Sequence, residues 1–263
     1  MWGLSEDGER NGAFVTDHSH SPADFACTIY SLLGINPHKR YPTPSGQDVP
    51  IVQGGTPVKM QGYGVANVEH QVPVTADTVF QSASVGKQFT AAAIMRLVEQ
   101  GKIALDAPLT TYFPDAPAAW RAITPRHLLT HTSGLPDYTA GTLDYRRAYT
   151  EDDLVRFAYG LTLEFAPGSR WNYSNTGYVM LGALARKVSG RFYGDVLREE
   201  VFLPFDMRSA RVITEADIVP HRAAGYQLDD GALKNQDWVS PELNTTADGS
   251  LYLSLRDMVA WDA

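Results

Sequence analysis

Phe80-Gln81-Ser82-Ala83-Ser84-Val85-Gly86-Lys87-Gln88-Phe89-Thr90-Ala91-Ala92-Ala93-Ile94-Met95 is the stretch that decides how this chain reads. Its second half is rich in alanine, the best helix former, and Phe89, Ala92, Ala93 and Leu97 include apolar positions at helical spacing. The helix this predicts stops near Gly101, a usual C-terminal residue. Ser84 then lies at the helix N-terminus, where free N–H groups and the dipole favour a developing anion. Lys87, one helical turn further on, returns to the same face and can reach the hydroxyl. An amine held in a partly buried site beside a hydroxyl can act as its base. Alone, Ser-x-x-Lys also arises by chance on ordinary surface helices.

A second short motif, Tyr173-Ser174-Asn175, supplies a phenol and a carboxamide from a separate loop. The four side chains together can activate a serine without histidine or carboxylate. Other chemistries fit the sequence less well. A phosphate-binding loop around Gly86-Lys87 fails, since Gln88 stands where Ser or Thr is required. His127 and His131 are four apart, but no Glu follows the first, so the metalloprotease pattern is absent. His131 is expected to stabilise the Thr132-Ser133-Gly134 turn instead. Asp17, His18 and His20 are read as a loop, not a metal site.

Three more segments, in the same order along the chain, carry a resemblance. Gly62-Tyr-Gly-Val-Ala-Asn67, Leu128-Leu-Thr-His-Thr-Ser-Gly-Leu-Pro136 and Pro167-Gly-Ser-Arg-Trp-Asn-Tyr-Ser-Asn175 read like stretches of the serine β-lactamase and penicillin-binding-protein superfamily. The class C-like branch, with its esterases and D-amino-acid peptidases, is the part this chain resembles. The resemblance implies that Ser84 is the acylated nucleophile, Lys87 its activating base and Tyr173 the proton shuttle. Asn175 would position Lys87 and the substrate. It implies an ester, β-lactam or D-peptide substrate, and neither a cofactor nor a metal.

That superfamily carries a third motif, Lys-Thr-Gly, His-x-Gly or Trp-x-Gly, on a strand lining the site. No such segment follows Asn175: Lys187-Val-Ser-Gly190 has one residue too many, and His221-Arg-Ala223 lacks the glycine. The reading is therefore of a C-terminally truncated hydrolase, with a catalytically impaired fragment that keeps a ligand-binding or interaction surface as the alternative. Missing C-terminal strands would also leave a sheet edge through which copies of the chain associate.

Composition sets outer limits. The chain has 263 residues, enough for one large or two small domains. Its formal net charge of −8 argues against nucleic acid or an anionic membrane surface as partner. No apolar run approaches the roughly 18 residues of a membrane span, and Met1–Arg10 lacks a signal-peptide pattern. Cys27 is the only cysteine, which excludes an intrachain disulfide.

The expected fold class is α+β, β-lactamase/transpeptidase-like: an antiparallel sheet portion plus a helical region, with the site between them. Residues 1–47 read as an N-terminal extension with one helix after Ser21-Pro22, and 48–263 as the incomplete hydrolase domain. Residues 1–57 resemble the tail of sulfatase- and alkaline-phosphatase-like proteins. Arg40–Gly46 is predicted as a linker. Asp48–Gln53 and Val58–Val65 are predicted as a hairpin about Gly54-Gly55-Thr56-Pro57. Helices are predicted at 124–130, 151–159, 177–188, 192–201 and 254–263, with a short strand at Leu251–Leu253.

Overall fold

A computed structural model describes residues 60–140, 143–214, 216–239 and 246–262, together with four two-residue strands between 41 and 57. The helix predicted after Ser21, Cys27 and the Asp17/His18/His20 loop lie outside the described residues.

In chain order the strands are β1 (Tyr41–Pro42), β2 (Asp48–Val49), β3 (Val52–Gln53), β4 (Thr56–Pro57), β5 (Val65–Asn67), β6 (Val72–Pro73), β7 (Phe80–Gln81), β8 (Arg211–Val212), β9 (Tyr226–Asp229), β10 (Ala232–Asn235) and β11 (Leu251–Leu253). The helices are α1 (Lys87–Glu99), α2 (Pro125–Leu129), α3 (Glu151–Tyr159), α4 (Asn175–Ser189), α5 (Tyr193–Leu197) and α6 (Leu255–Asp262).

The predicted hairpin is corrected. Val52 pairs with Pro57 and Gln53 with Thr56, so Thr56 and Pro57 belong to a strand and not to the turn. Asp48–Val49 pairs backwards with Tyr41–Pro42, inside the stretch expected as a linker. Val65–Asn67 pairs forwards with Val72–Pro73. Three short local pairings replace the one long hairpin. Gly, Pro and Thr near a turn carry little register information, and a strand of few residues has no hydrophobic pattern long enough to fix its partner.

α4 is the centre of the molecule. Every residue from Thr176 to Ala185 is buried, with Met180, Leu181 and Leu184 fully so. A helix apolar on all sides must be surrounded, and α1, α2, α3 and α5 pack around it. Each fully buried Leu or Met contributes on the order of 1.5–3 kcal/mol. On α1, Phe89, Ala93, Ile94 and Leu97 turn into the same core, where Phe89 meets Phe202 and Trp261 ring to ring.

Local chemistry explains the helix ends. Thr150 caps α3 with a reciprocal bond to Asp153, as Thr124 does for α2 with His127. Ser174 Oγ accepts from Gly177 N at 3.2 Å, so α4 begins at Asn175, two residues before the predicted start. Ser254 and Asp257 form the cap of α6, as the serine there suggests. The predicted 192–201 helix is α only to Leu197; Arg198–Phe202 opens into a π turn in which the neighbours Val201 and Phe202 are both buried.

β11 runs between β7 and β8, antiparallel to both, with Tyr252 opposite Gln81 and Arg211. This small sheet feeds the chain directly into the turn that carries Ser84, and Ser82 N donates to Leu251 O at 2.7 Å. Sheet on one side and helices on the other make the predicted α+β arrangement.

Candidate active site

Ser84 lies in a 3₁₀ turn, Ala83–Gly86, that runs straight into α1. Ala83 is held at φ +46°, a left-handed conformation costly for a residue with a Cβ. Backbone strain of this kind persists only where surrounding contacts enforce it. Ser84, the second residue of the turn, is exposed, while Lys87 points inward and is only 6% exposed.

The predicted side chains converge. Ser84 Oγ is 2.6 Å from the Tyr173 hydroxyl, and Lys87 Nζ donates to Ser84 Oγ at 3.3 Å. Lys87 also donates to Asn175 Oδ1 at 2.7 Å and to the backbone carbonyl of Asp248. Its ammonium sits 5.0 Å from the Tyr173 ring centroid and 5.4 Å from that of Tyr178. Tyr173 and Asn175 do not share a loop as expected: Tyr173 precedes the cap and Asn175 is the first residue of α4. The Ser174 cap thus fixes the angle between the phenol and the carboxamide.

Four further residues complete the arrangement, and only His131 among them was singled out from the sequence, for a different role. His131 does not stabilise its own turn through its ring; its Nδ1 accepts from Ser174 N at 3.2 Å. The imidazole lies 4.6 Å from the Tyr173 ring and 5.1 Å from the Tyr178 ring. Burial first, and then the charge of Lys87, lower its pKa to about 4, which keeps Nδ1 an acceptor. Asp137 Oδ2 accepts from Asn175 Nδ2 at 2.9 Å. Tyr138 donates to Asp248 Oδ2 at 2.8 Å. The signal for Asp137 and Tyr138 was their place directly after the Leu128–Pro136 segment. Asp248, in Thr246–Leu251, carried no sequence signal of its own.

The 246–250 loop is pinned from several directions. Thr90 Oγ1 donates to Ala247 O at 2.8 Å, and the buried Tyr193 hydroxyl donates to Thr246 O at 2.7 Å. Gly182 on α4 lets Ala247 approach, since a Cβ there would meet Ala247 Cβ at 2.6 Å. A cleft of about 600 Å³ lined by Asp77, Arg211, His221 and Arg256 lies apart from these residues and contains none of the four.

The sequence model of the Beta-lactamase family matches residues 45–263. The chain belongs to that family. Among its relatives, penicillin-binding protein 4* of Bacillus subtilis is 34% identical over 67% of this chain and 41% of its own length. The D-aminopeptidase of Gluconobacter oxydans is 30% identical over 85% of this chain and 42% of its own. The octameric penicillin-binding protein homologue from Pyrococcus abyssi superposes with a TM-score of 0.69 at 32% identity, over 80% of this chain and 50% of that one. This Beta-lactamase family chain spans about half the length of the curated relatives it matches. The family is that of the resemblance read from the motifs, and the β-lactamase/transpeptidase-like α+β fold is the one expected.

Proposed function

We propose that this chain carries the nucleophile and proton-transfer groups of a serine acyl hydrolase. The observation that carries the reading is the contact of Ser84 Oγ with both Tyr173, at 2.6 Å, and Lys87, at 3.3 Å. A serine hydroxyl is a weak nucleophile until a neighbouring base takes its proton. In this reading the Lys87–Tyr173 pair, after releasing one proton to solvent, takes the Ser84 proton as Oγ bonds to the substrate carbonyl carbon. The negative charge on the carbonyl oxygen is met by backbone N–H groups at the start of the helical segment. Tyr173 then returns a proton to the leaving amine or alcohol, and the C–N or C–O bond breaks to leave an ester on Ser84. Water attacks that ester, gives its proton back through the same pair and releases the acid. Asn175 holds Lys87 in reach throughout.

The substrate class is an ester, a β-lactam or an amide of a D-amino acid. Support comes from the names of relatives: an esterase of Burkholderia gladioli, a β-lactamase of Escherichia coli and D-aminopeptidases. Self-association also belongs to the proposal, supported by the octameric homologue and by Leu228, Leu233 and Trp238, which are exposed on and beside the β9–β10 hairpin.

Labelling with a fluorophosphonate or a fluorescent penicillin, followed by peptide mass analysis, tests the reading. Adduct on Ser84, lost in Ser84→Ala, is the expected result. Equal labelling of parent and variant, or no adduct on either, overturns the assignment.

A further inference from the structure

We propose that the adjacent residues Asp137 and Tyr138 position Lys87 from two sides, Asp137 through Asn175 and Tyr138 through Asp248. The geometry stands by itself, while its consequence for catalysis rests on the acyl-hydrolase reading.

An ammonium has three donors, and those of Lys87 meet Ser84 Oγ, Asn175 Oδ1 and the Asp248 carbonyl. Only the first lies in the Ser-x-x-Lys motif. The other two must be brought to it and held.

The first arm controls the orientation of an amide. The oxygen and nitrogen of a carboxamide are nearly the same size, and a flipped Asn175 would press its NH₂ donors against the ammonium. Asp137 prevents this, because Oδ2 accepts from Asn175 Nδ2 at 2.9 Å and from Asn175 N at 3.3 Å. A carboxylate only accepts, so the amide must turn its nitrogen to Asp137 and its oxygen to Lys87. The carboxylate is itself fixed, with Oδ1 accepting from Thr139 N at 2.9 Å and Thr139 Oγ1 at 2.8 Å.

The second arm holds the 246–250 loop. Tyr138 donates its phenol to Asp248 Oδ2 at 2.8 Å. Burial, and then the Asp248 charge, push the Tyr138 phenol well above its ordinary range, so it remains a donor. Its backbone N donates to Thr176 Oγ1 at 2.9 Å, tying the dipeptide to α4 one residue beyond Asn175. Asp248 Oδ1 is buried with no hydrogen-bond partner among the described residues. A half-satisfied buried carboxylate opposes folding, which points to a task for Asp248 in the site.

Two measurements on the full chain test the brace. Acetylation of Lys87 by acetic anhydride, read by peptide mass analysis, needs no enzyme activity. It should be slow in the parent and several-fold faster in Asp137→Ala and in Tyr138→Phe, which keeps the ring. Asp137→Asn should restore most of the protection, because its side-chain oxygen still accepts from Asn175 Nδ2. Unchanged Lys87 labelling in both variants overturns the proposal. In the kinetic arm, Asp137→Ala should slow acylation at saturating probe about tenfold, with little change in probe affinity. In an Asn175→Ala background the same substitution should cost nothing further, and full additivity there overturns the first arm. If Lys87 labelling responds but the parent never acylates, the hydrolase reading fails while the brace stands.

Discussion

Gly249 packs against Ala83, the residue before Ser84, so closely that a Cβ on it would lie 2.9 Å from the Ala83 carbonyl carbon. The neighbouring Asp248 carbonyl accepts from Lys87, and Ala83 itself is held at φ +46°.

Gly249→Ala should therefore damage the site more than the fold. The added methyl meets backbone on Ala83, which cannot yield as a side-chain tip can. Separating the two segments pulls the Asp248 carbonyl away from Lys87. We expect acylation to fall by about 10-fold or more, since misplacement by roughly 1 Å costs on the order of 10² in rate. Probe kinetics and a thermal melt on the same sample check it; an unchanged rate would sink the argument.

Lys87 and Tyr173 flank the same oxygen and should act as one unit. Lys87→Ala and Tyr173→Phe are each expected to slow acylation by at least ~10²-fold. The double variant should be much less impaired than the product of the two, because groups sharing one proton transfer are non-additive. Full multiplicativity in burst kinetics would mean that they work independently.

His131 makes stability depend on pH in a defined window. In the unfolded chain it binds a proton near 6.5, whereas in the folded protein it resists protonation until about 4. The unfolded state then holds more protons between these values, so this contribution is complete above 6.5 and is lost as pH falls towards 4. Denaturation midpoints across that range should decline, and His131→Phe should flatten the decline. The variant should also lose about 1–3 kcal/mol at neutral pH, because the Ser174 N–H is left unpaired. A parent midpoint independent of pH in this window would contradict the assignment.

Self-association should appear as concentration-dependent mass. Leu228 and Leu233 are direct partners across the β9–β10 hairpin and are 74% and 55% exposed. Light scattering over a dilution series should show a mass above that of one chain at the high end, reduced by Leu228→Lys. A single-chain mass at every concentration refutes it.

The helices α1 and α3 and the β11 strand were all legible, because each is fixed by neighbours within a few positions. Ala-rich periodicity specifies α1, Thr150 with Asp153 specifies the start of α3, and Leu251–Leu253 is an apolar run bounded by serines. Ser84, Lys87, Tyr173 and Asn175 were legible as two short motifs, and all four meet in the structure. The strand pairing of residues 41–67 was not, since strands of two or three residues do not encode their partners.

Asp137, Tyr138, His131 and Asp248 show where sequence stops. Their work consists of contacts made over long separations, such as Tyr138 to Asp248 across 110 residues and His131 to Ser174 across 43. An aspartate or tyrosine in a polar segment looks the same whether it faces water or a buried ammonium. By itself the sequence determined which groups are candidates for the site and which local turns present them. Only tertiary packing decided which acceptors surround Lys87, because hydrogen-bond partners far apart in the chain are selected by the shape of the core that brings them together.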